Sequence, residues 1–97
     1  MKFDWDISKA TSNEIKHGLS VEKAITAFDD PFGLRVTDDK HSSSTEVREW
    51  LIGLSDVGVV VVIFTIRGKV IYRIISARKA NKRERSLYEI NKRISIS

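Results

Sequence analysis

Val57-Gly58-Val59-Val60-Val61-Val62-Ile63-Phe64-Thr65-Ile66-Arg67-Gly68-Lys69-Val70-Ile71-Tyr72-Arg73-Ile74-Ile75-Ser76-Ala77-Arg78 is the stretch on which the fold turns. From Val59 to Phe64 both parities are apolar, so this strand is expected to be covered on both faces and to lie centrally in a sheet. Gly68-Lys69 is a tight-turn dipeptide and predicts a hairpin between 57–67 and 70–78. In the returning strand Ile71, Ile75 and Ala77 point one way, Tyr72 and Ile74 the other. Upstream, 45–54 reads as a further strand joined through Ser55-Asp56, and 33–37 as a weaker one. The polar run Asp38-Asp39-Lys40-His41-Ser42-Ser43-Ser44 forms the turn between those two.

Outward from this meander the periodicity changes. Asp6 is a good N-cap for a helix running to about Lys16, with Ile7, Thr11 and Ile15 on one side and Gly18 placed for the left-handed residue after the last turn. Ser20 caps a second helix with Val21, Ala24, Ile25 and Phe28 on one stripe, ended by Asp29-Asp30-Pro31. Phe3-Asp4-Trp5-Asp6 has the length of an edge strand. A last helix is expected from about Lys79 into Lys92, with Ala80, Leu87, Ile90 and Ile94 as a narrow apolar seam. Two N-terminal helices, an antiparallel sheet of about four strands and a C-terminal helix make an α+β fold, as a single domain over 1–97. Connections this short allow no parallel crossover.

The chain has 97 residues and no Cys, which excludes disulfide scaffolds and cysteine-ligated zinc, and its two His make a histidine-rich metal site improbable. The apolar run 57–66 is half a membrane span, and the acidic start Met1-Lys2-Phe3-Asp4-Trp5-Asp6 is unlike a secretory signal. The expectation is a soluble, cytoplasmic domain. Charge is divided sharply: 1–66 holds 7 Lys+Arg against 11 Asp+Glu, a net of −4, while 67–97 holds 10 against 2, a net of +8. A basic end of this kind suits a polyanion or an acidic partner, although a solvated basic helix has the same composition.

Few residues are placed to do chemistry. Arg67, Arg73 and Arg78 lie on the central strands, and alternation sends Arg73 and Arg78, five apart, to opposite sides. A guanidinium in the apolar middle of a strand needs a carboxylate or a phosphate. Glu46 and Arg48 share a face at spacing two. Glu84 and Tyr88, four apart, are neighbours on the last helix. His17 beside Gly18 reads first as a helix-terminal cation, and His41 as an exposed loop side chain. There is no phosphate-binding glycine loop, no nucleophile elbow and no metal motif, so an enzyme here is expected to use neither metal nor organic cofactor. Arg, Lys, Glu and Tyr, with His as a further candidate although the spacing of His17 and His41 does not mark them as a pair, suit one reaction, the attack of a ribose 2′-hydroxyl on its own phosphodiester.

Phe3-Asp4-Trp5-Asp6, Asn13, Lys16-His17-Gly18, Ala24 and Phe28-Asp29-Asp30-Pro31 resemble the start of a BrnT toxin. Glu46-x-Arg48, Gly53, Thr65-x-Arg67, Arg73-Ile74-Ile75-Ser76-Ala77-Arg78-Lys79-Ala80, Glu84 and Tyr88 extend the resemblance over 3–88. It implies a ribonuclease toxin of a type II toxin–antitoxin system with a RelE-like fold. The implied partner is a BrnA-type antitoxin with a ribbon-helix-helix DNA-binding part, in a heterotetramer that reaches operator DNA through the antitoxin. On the matched positions, Arg67, Arg73 and Arg78 would bind phosphate, Glu46 or Glu84 would be the base, and Tyr88 or His17 the acid. Lys16, Arg48, Lys79, Lys82 and Arg83 would contact RNA. Glu49 between Arg48 and Trp50, and the tail Ile94-Ser95-Ile96-Ser97, depart from the family pattern. A non-catalytic binding module, or a degenerate toxin that only co-represses, is the alternative reading.

Overall fold

The computed structural model describes residues 1–68 and 70–96. Among them run strands β1 Lys2–Trp5, β2 Leu34–Thr37, β3 Arg48–Ser55, β4 Gly58–Arg67 and β5 Ile71–Lys79, with helices α1 Ile7–His17, α2 Val21–Ala24 and α3 Lys82–Ile96. The five strands make one sheet in the order β1-β5-β4-β3-β2. Neighbours from β2 to β5 are antiparallel, as the meander requires, but β1 joins β5 in parallel. The four-stranded antiparallel sheet expected above is therefore a five-stranded mixed one. Its parallel pair needs no short crossover, because residues 6–70, two thirds of the chain, lie between β1 and β5. No helix of the described residues is long and apolar enough to cross a membrane.

Capping chemistry fixes the first helices. The Asp6 carboxylate accepts from Lys9 N at 3.1 Å, and Gly18, at φ +64°, donates its N–H to Glu14 O at 2.7 Å. Ser20 Oγ caps α2, which tightens after Ala24 into a 3₁₀ turn, Ile25–Asp29. These helices bury Leu19, Val21, Ala24 and Ala27 against Leu51, Val60, Val62, Phe64, Ile74 and Ala77. Gly53 lets the 3₁₀ turn lie directly on β3, since a Cβ there would stand 3.2 Å from Ala27 O. Asn13 is the polar rivet of this layer: its amide accepts from Ala77 N at 3.2 Å and donates to Ala77 O at 2.8 Å.

The opposite face carries α3. Val60, Val61 and Val62 of β4 are all fully buried, as two-sided covering demands. Ile52, Val61, Ala80 and Tyr88 pack together there, with Trp50 and Ile63 at the margin. The helix begins at Lys82, later than expected, because Lys79 still pairs with Val60 in the sheet and Ala80 N donates to Val59 O. Asn81 and Glu84 close a reciprocal capping box at 2.9 and 2.8 Å. The face turned to the sheet is Glu84, Tyr88 and Asn91, whereas Leu87, Ile90 and Ile94 of the expected seam are exposed. Tyr88 is seated by a 2.6 Å bond from its hydroxyl to Asp30 Oδ2. The expected Gly68-Lys69 turn falls in part outside the described residues; Gly68 itself has φ +58°.

Candidate functional site

A register shift in the central hairpin decides which side chains meet. Phe64 pairs with Ile74 and Ile63 with Ser76, so Ile75 has no partner on β4 and forms a bulge. Arg73 lies opposite Thr65 and Arg78 opposite Val61, four residues apart on a regular strand. Arg73 and Arg78 therefore share a face, against the expectation from strict alternation, because the extra residue restores their parity.

That face is built in rows. Asp4, Arg73, Thr65 and Arg48 lie side by side on β1, β5, β4 and β3; Ser76, Ile63 and Trp50 form the next row; Arg78, Val61 and Ile52 form the third. The third row lies beneath α3, and the first lies beyond it. Strand separations of about 4.8 Å set Arg73 and Arg48 roughly 10 Å apart across Thr65. Thr65 Oγ1 donates to Val47 O at 2.8 Å. Arg67, at the exposed end of β4, faces the same way as Thr65.

Each cation has a distinct setting. Arg73 Nη1 donates to Asp4 Oδ2 at 2.7 Å and stays partly open. Arg78 grips both oxygens of Glu84 at 2.7 Å, and its guanidinium lies 5.6 Å from the centre of the Trp50 ring. The Arg78 bond, helped by Asn81 N against the cost of burial, holds the Glu84 carboxyl below the usual range. Arg48 and Arg67 have no ion pair among the described residues. At the end of the rows, Trp50 Nε1 donates to Asp38 Oδ2 at 3.2 Å, and His41 Nδ1 lies 2.8 Å from the same oxygen.

The expected site residues divide accordingly. Arg48, Arg67, Arg73, Arg78 and Glu84 belong to this face. Lys82 and Arg83 stand exposed on the first turn of α3, and Glu46 sits in the loop that leads into Arg48. Lys16 and His17 end α1 on the other side of the sheet, and Lys79, paired with the buried Val60, also points there. Tyr88 is 2 % exposed, and burial together with the Asp30 carboxylate raises its phenol well above the usual range. A buried phenol already donating to Asp30 is core structure, not an acid within reach of a ligand. Sequence reading missed Trp50, Asp38 and His41. Asp38-x-x-His41 has the spacing of a capped turn, and Arg48-x-Trp50 the spacing of two side chains on one strand face; both signals were available.

Of the described residues, no three His, Cys, Asp or Glu are grouped so as to hold a metal ion. A family model described as "Ribonuclease toxin, BrnT, of type II toxin-antitoxin system" matches residues 5–84, more than half of the chain and every residue of the three rows except Asp4. The 1.1 Å crystal structure of the Brucella abortus ribonuclease toxin BrnT is similar, with a TM-score of 0.56 and 26% identity, covering 84% of this chain and 99% of that one. No curated protein matches.

Proposed function

Since the chain belongs to the BrnT family, the ribonuclease toxins of type II toxin–antitoxin systems, we propose that it cleaves RNA on the face carrying Arg48, Arg67, Arg73 and Arg78, without a metal ion. The observation that carries this reading is the row Arg73–Thr65–Arg48, two partly exposed cations flanking a small buried residue beyond α3. The ribose 2′-oxygen attacks the neighbouring phosphorus, and the 5′-oxygen leaves. The protein's part is to hold the phosphate and balance the charge that builds on it. Arg48 and Arg67, which carry no carboxylate among the described residues, and the partly open Arg73 serve the phosphate. Arg78, locked on Glu84, fixes Trp50 as a platform on which a base can stack.

A BrnA-type antitoxin with a ribbon-helix-helix part is the proposed partner, in a heterotetramer that represses through that part. Support comes from α3, whose exposed Leu87, Ile90 and Ile94 adjoin a groove of about 550 Å³ lined by Val59, Ile90, Lys82, Arg85 and Arg93, with Ser86 and a single carboxylate, Glu89. Apolar and basic groups interleaved in this way fit an acidic amphipathic segment.

RNA, supplied free and on ribosomes, tests the activity when incubated with the purified chain in EDTA beside an Arg48→Ala/Arg73→Ala variant. The expected result is new ends bearing 2′,3′-cyclic phosphate with the native chain, and a rate lower by at least about 100-fold in the variant. Saturable binding by the native chain with no new ends would favour the non-catalytic module. Loss of cleavage on chelation alone would overturn metal independence.

A further inference from the structure

We propose that His41 is the proton-transfer residue of this site, its Nε2 accepting the 2′-hydroxyl proton while Asp38 holds the ring. The inference rests on the ribonuclease reading above and supplies what that reading lacks, a base. Of the residues first expected to move protons, Glu84 is bound to Arg78, Tyr88 is buried, and His17 lies on the other side of the sheet; Glu46 sits in the loop before Arg48, and no hydrogen bond or ion pair among the described residues orients its carboxylate toward the face.

The geometry is more specific than a capped turn requires. Asp38 Oδ1 accepts from His41 N at 3.3 Å, and that bond alone satisfies the cap of the 3₁₀ turn Asp39–His41. The second oxygen, Oδ2, takes both the His41 ring and the Trp50 indole, at 2.8 and 3.2 Å. An ionised carboxylate only accepts, so His41 Nδ1 carries the proton in this bond, and it is Nε2 that bears the lone pair whenever the ring is neutral. More than half of the His41 side chain is exposed, at 56%.

The turn is also fastened to the row of cations. Asp38 N donates to Arg48 O at 2.8 Å, and Ser42 Oγ accepts from Arg48 N at 2.9 Å. The Trp50 ring that Asp38 holds lies beneath the Arg78 guanidinium. Charged groups around the imidazole are Asp38 in contact, Asp39 and Lys40 in the same turn, Glu46 at the end of the loop and Arg48 on β3. In the step itself, Nε2 takes the 2′-hydroxyl proton as the 2′-oxygen bonds to phosphorus. The P–O5′ bond breaks, the 5′-oxygen takes a proton from water, and the imidazolium returns its own to solvent.

The full-length chain is assayed for cleavage over pH 5–9, and binding is followed with a 2′-O-methyl RNA that cannot react. His41→Ala is expected to slow turnover about 100- to 1,000-fold, to bind the 2′-O-methyl RNA as before, and to regain part of its rate with added imidazole. His41→Asn, which keeps a donor for Asp38, should be equally slow, separating chemistry from folding. Asp38→Asn should lower kcat with little change in KM, because the ring loses the carboxylate that orients it. Wild-type turnover and pH profile in both His41 variants would overturn this inference and leave the ribonuclease reading standing. RNA left whole by the unsubstituted chain would overturn both.

Discussion

Asn13 acts toward β5 as a sixth strand would. β1 pairs with β5 only from Ile71 to Ile74, so the edge beyond would leave Ala77 N–H and C=O without a strand to meet. One amide supplies both a donor and an acceptor, and reaches a second oxygen, Leu19 O, at 3.5 Å. Asn13→Ala strands two buried backbone groups and is expected to lower unfolding free energy by about 1–3 kcal/mol, measured in urea. Asn13→Asp keeps the acceptor but faces Ala77 O with a second one, and should be worse. Asp30 has the same character on the opposite layer, with Oδ2 taking the Tyr88 hydroxyl and Leu54 N, and Oδ1 taking Phe32 N. Read in the sequence as a helix stop before Pro31, it is also what holds the 3₁₀ turn, β3 and α3 together. Single polar residues of this kind are illegible beforehand, because their partners lie 58 and 64 positions away along the chain.

At the level of elements, the hairpin, the caps and the central position of β4 were readable because each is local: apolar residues at both parities, Asp6 and Ser20 ahead of their helices, Gly18 behind. What escaped was long-range or out of period. β1 looked like an edge strand, but nothing in four residues says which edge it joins. The bulge at Ile75 reverses the parity of every residue after it, so counting from Arg73 put Arg78 on the wrong face. α3 misled for a different reason, since a buried Glu84 held by Arg78 turns the apolar Leu87, Ile90 and Ile94 outward. The bulge is directly testable. Deleting Ile75 leaves both ends of β5 in register with β4, so this variant should still unfold cooperatively, at a cost of about 1–3 kcal/mol. Deleting Tyr72 instead turns Ile71 toward the core layer, takes a ring out of it, and should abolish cooperative melting followed by circular dichroism.

For the whole molecule, charge and burial set the response to pH. Glu84 is held below the usual carboxylate range chiefly by Arg78. Asp30 is raised by burial but lowered more by the bonds from Tyr88, Leu54 N and Phe32 N. Both titrate lower folded than unfolded, so the stability they contribute is complete above about pH 5 and is lost as pH falls through their folded values. Urea unfolding at a series of pH values should show a plateau near neutrality and a fall below about pH 4, and Glu84→Gln should lower the plateau while flattening the fall. Salt should act on RNA binding rather than on folding. Three phosphate contacts imply a slope of about −2 in log K against log salt for a single strand, and each arginine removed from the face should reduce its magnitude by about 0.7.

The contact between Asp4 and Arg73 spans 69 positions of sequence, and this has a bearing on time. At about 5–20 residues per second, the ribosome makes β1 roughly 3–14 s before the strand that receives it. Throughout that interval the first row of the face lacks Arg73, and α3, with the Glu84 that locks Arg78, is made later still. The newborn chain thus lacks the assembled face while its last third is still being made, and completes it only once that third has emerged. Nascent chains stalled at residue 70 should leave β1 open to proteolysis, and chains released at full length should protect it.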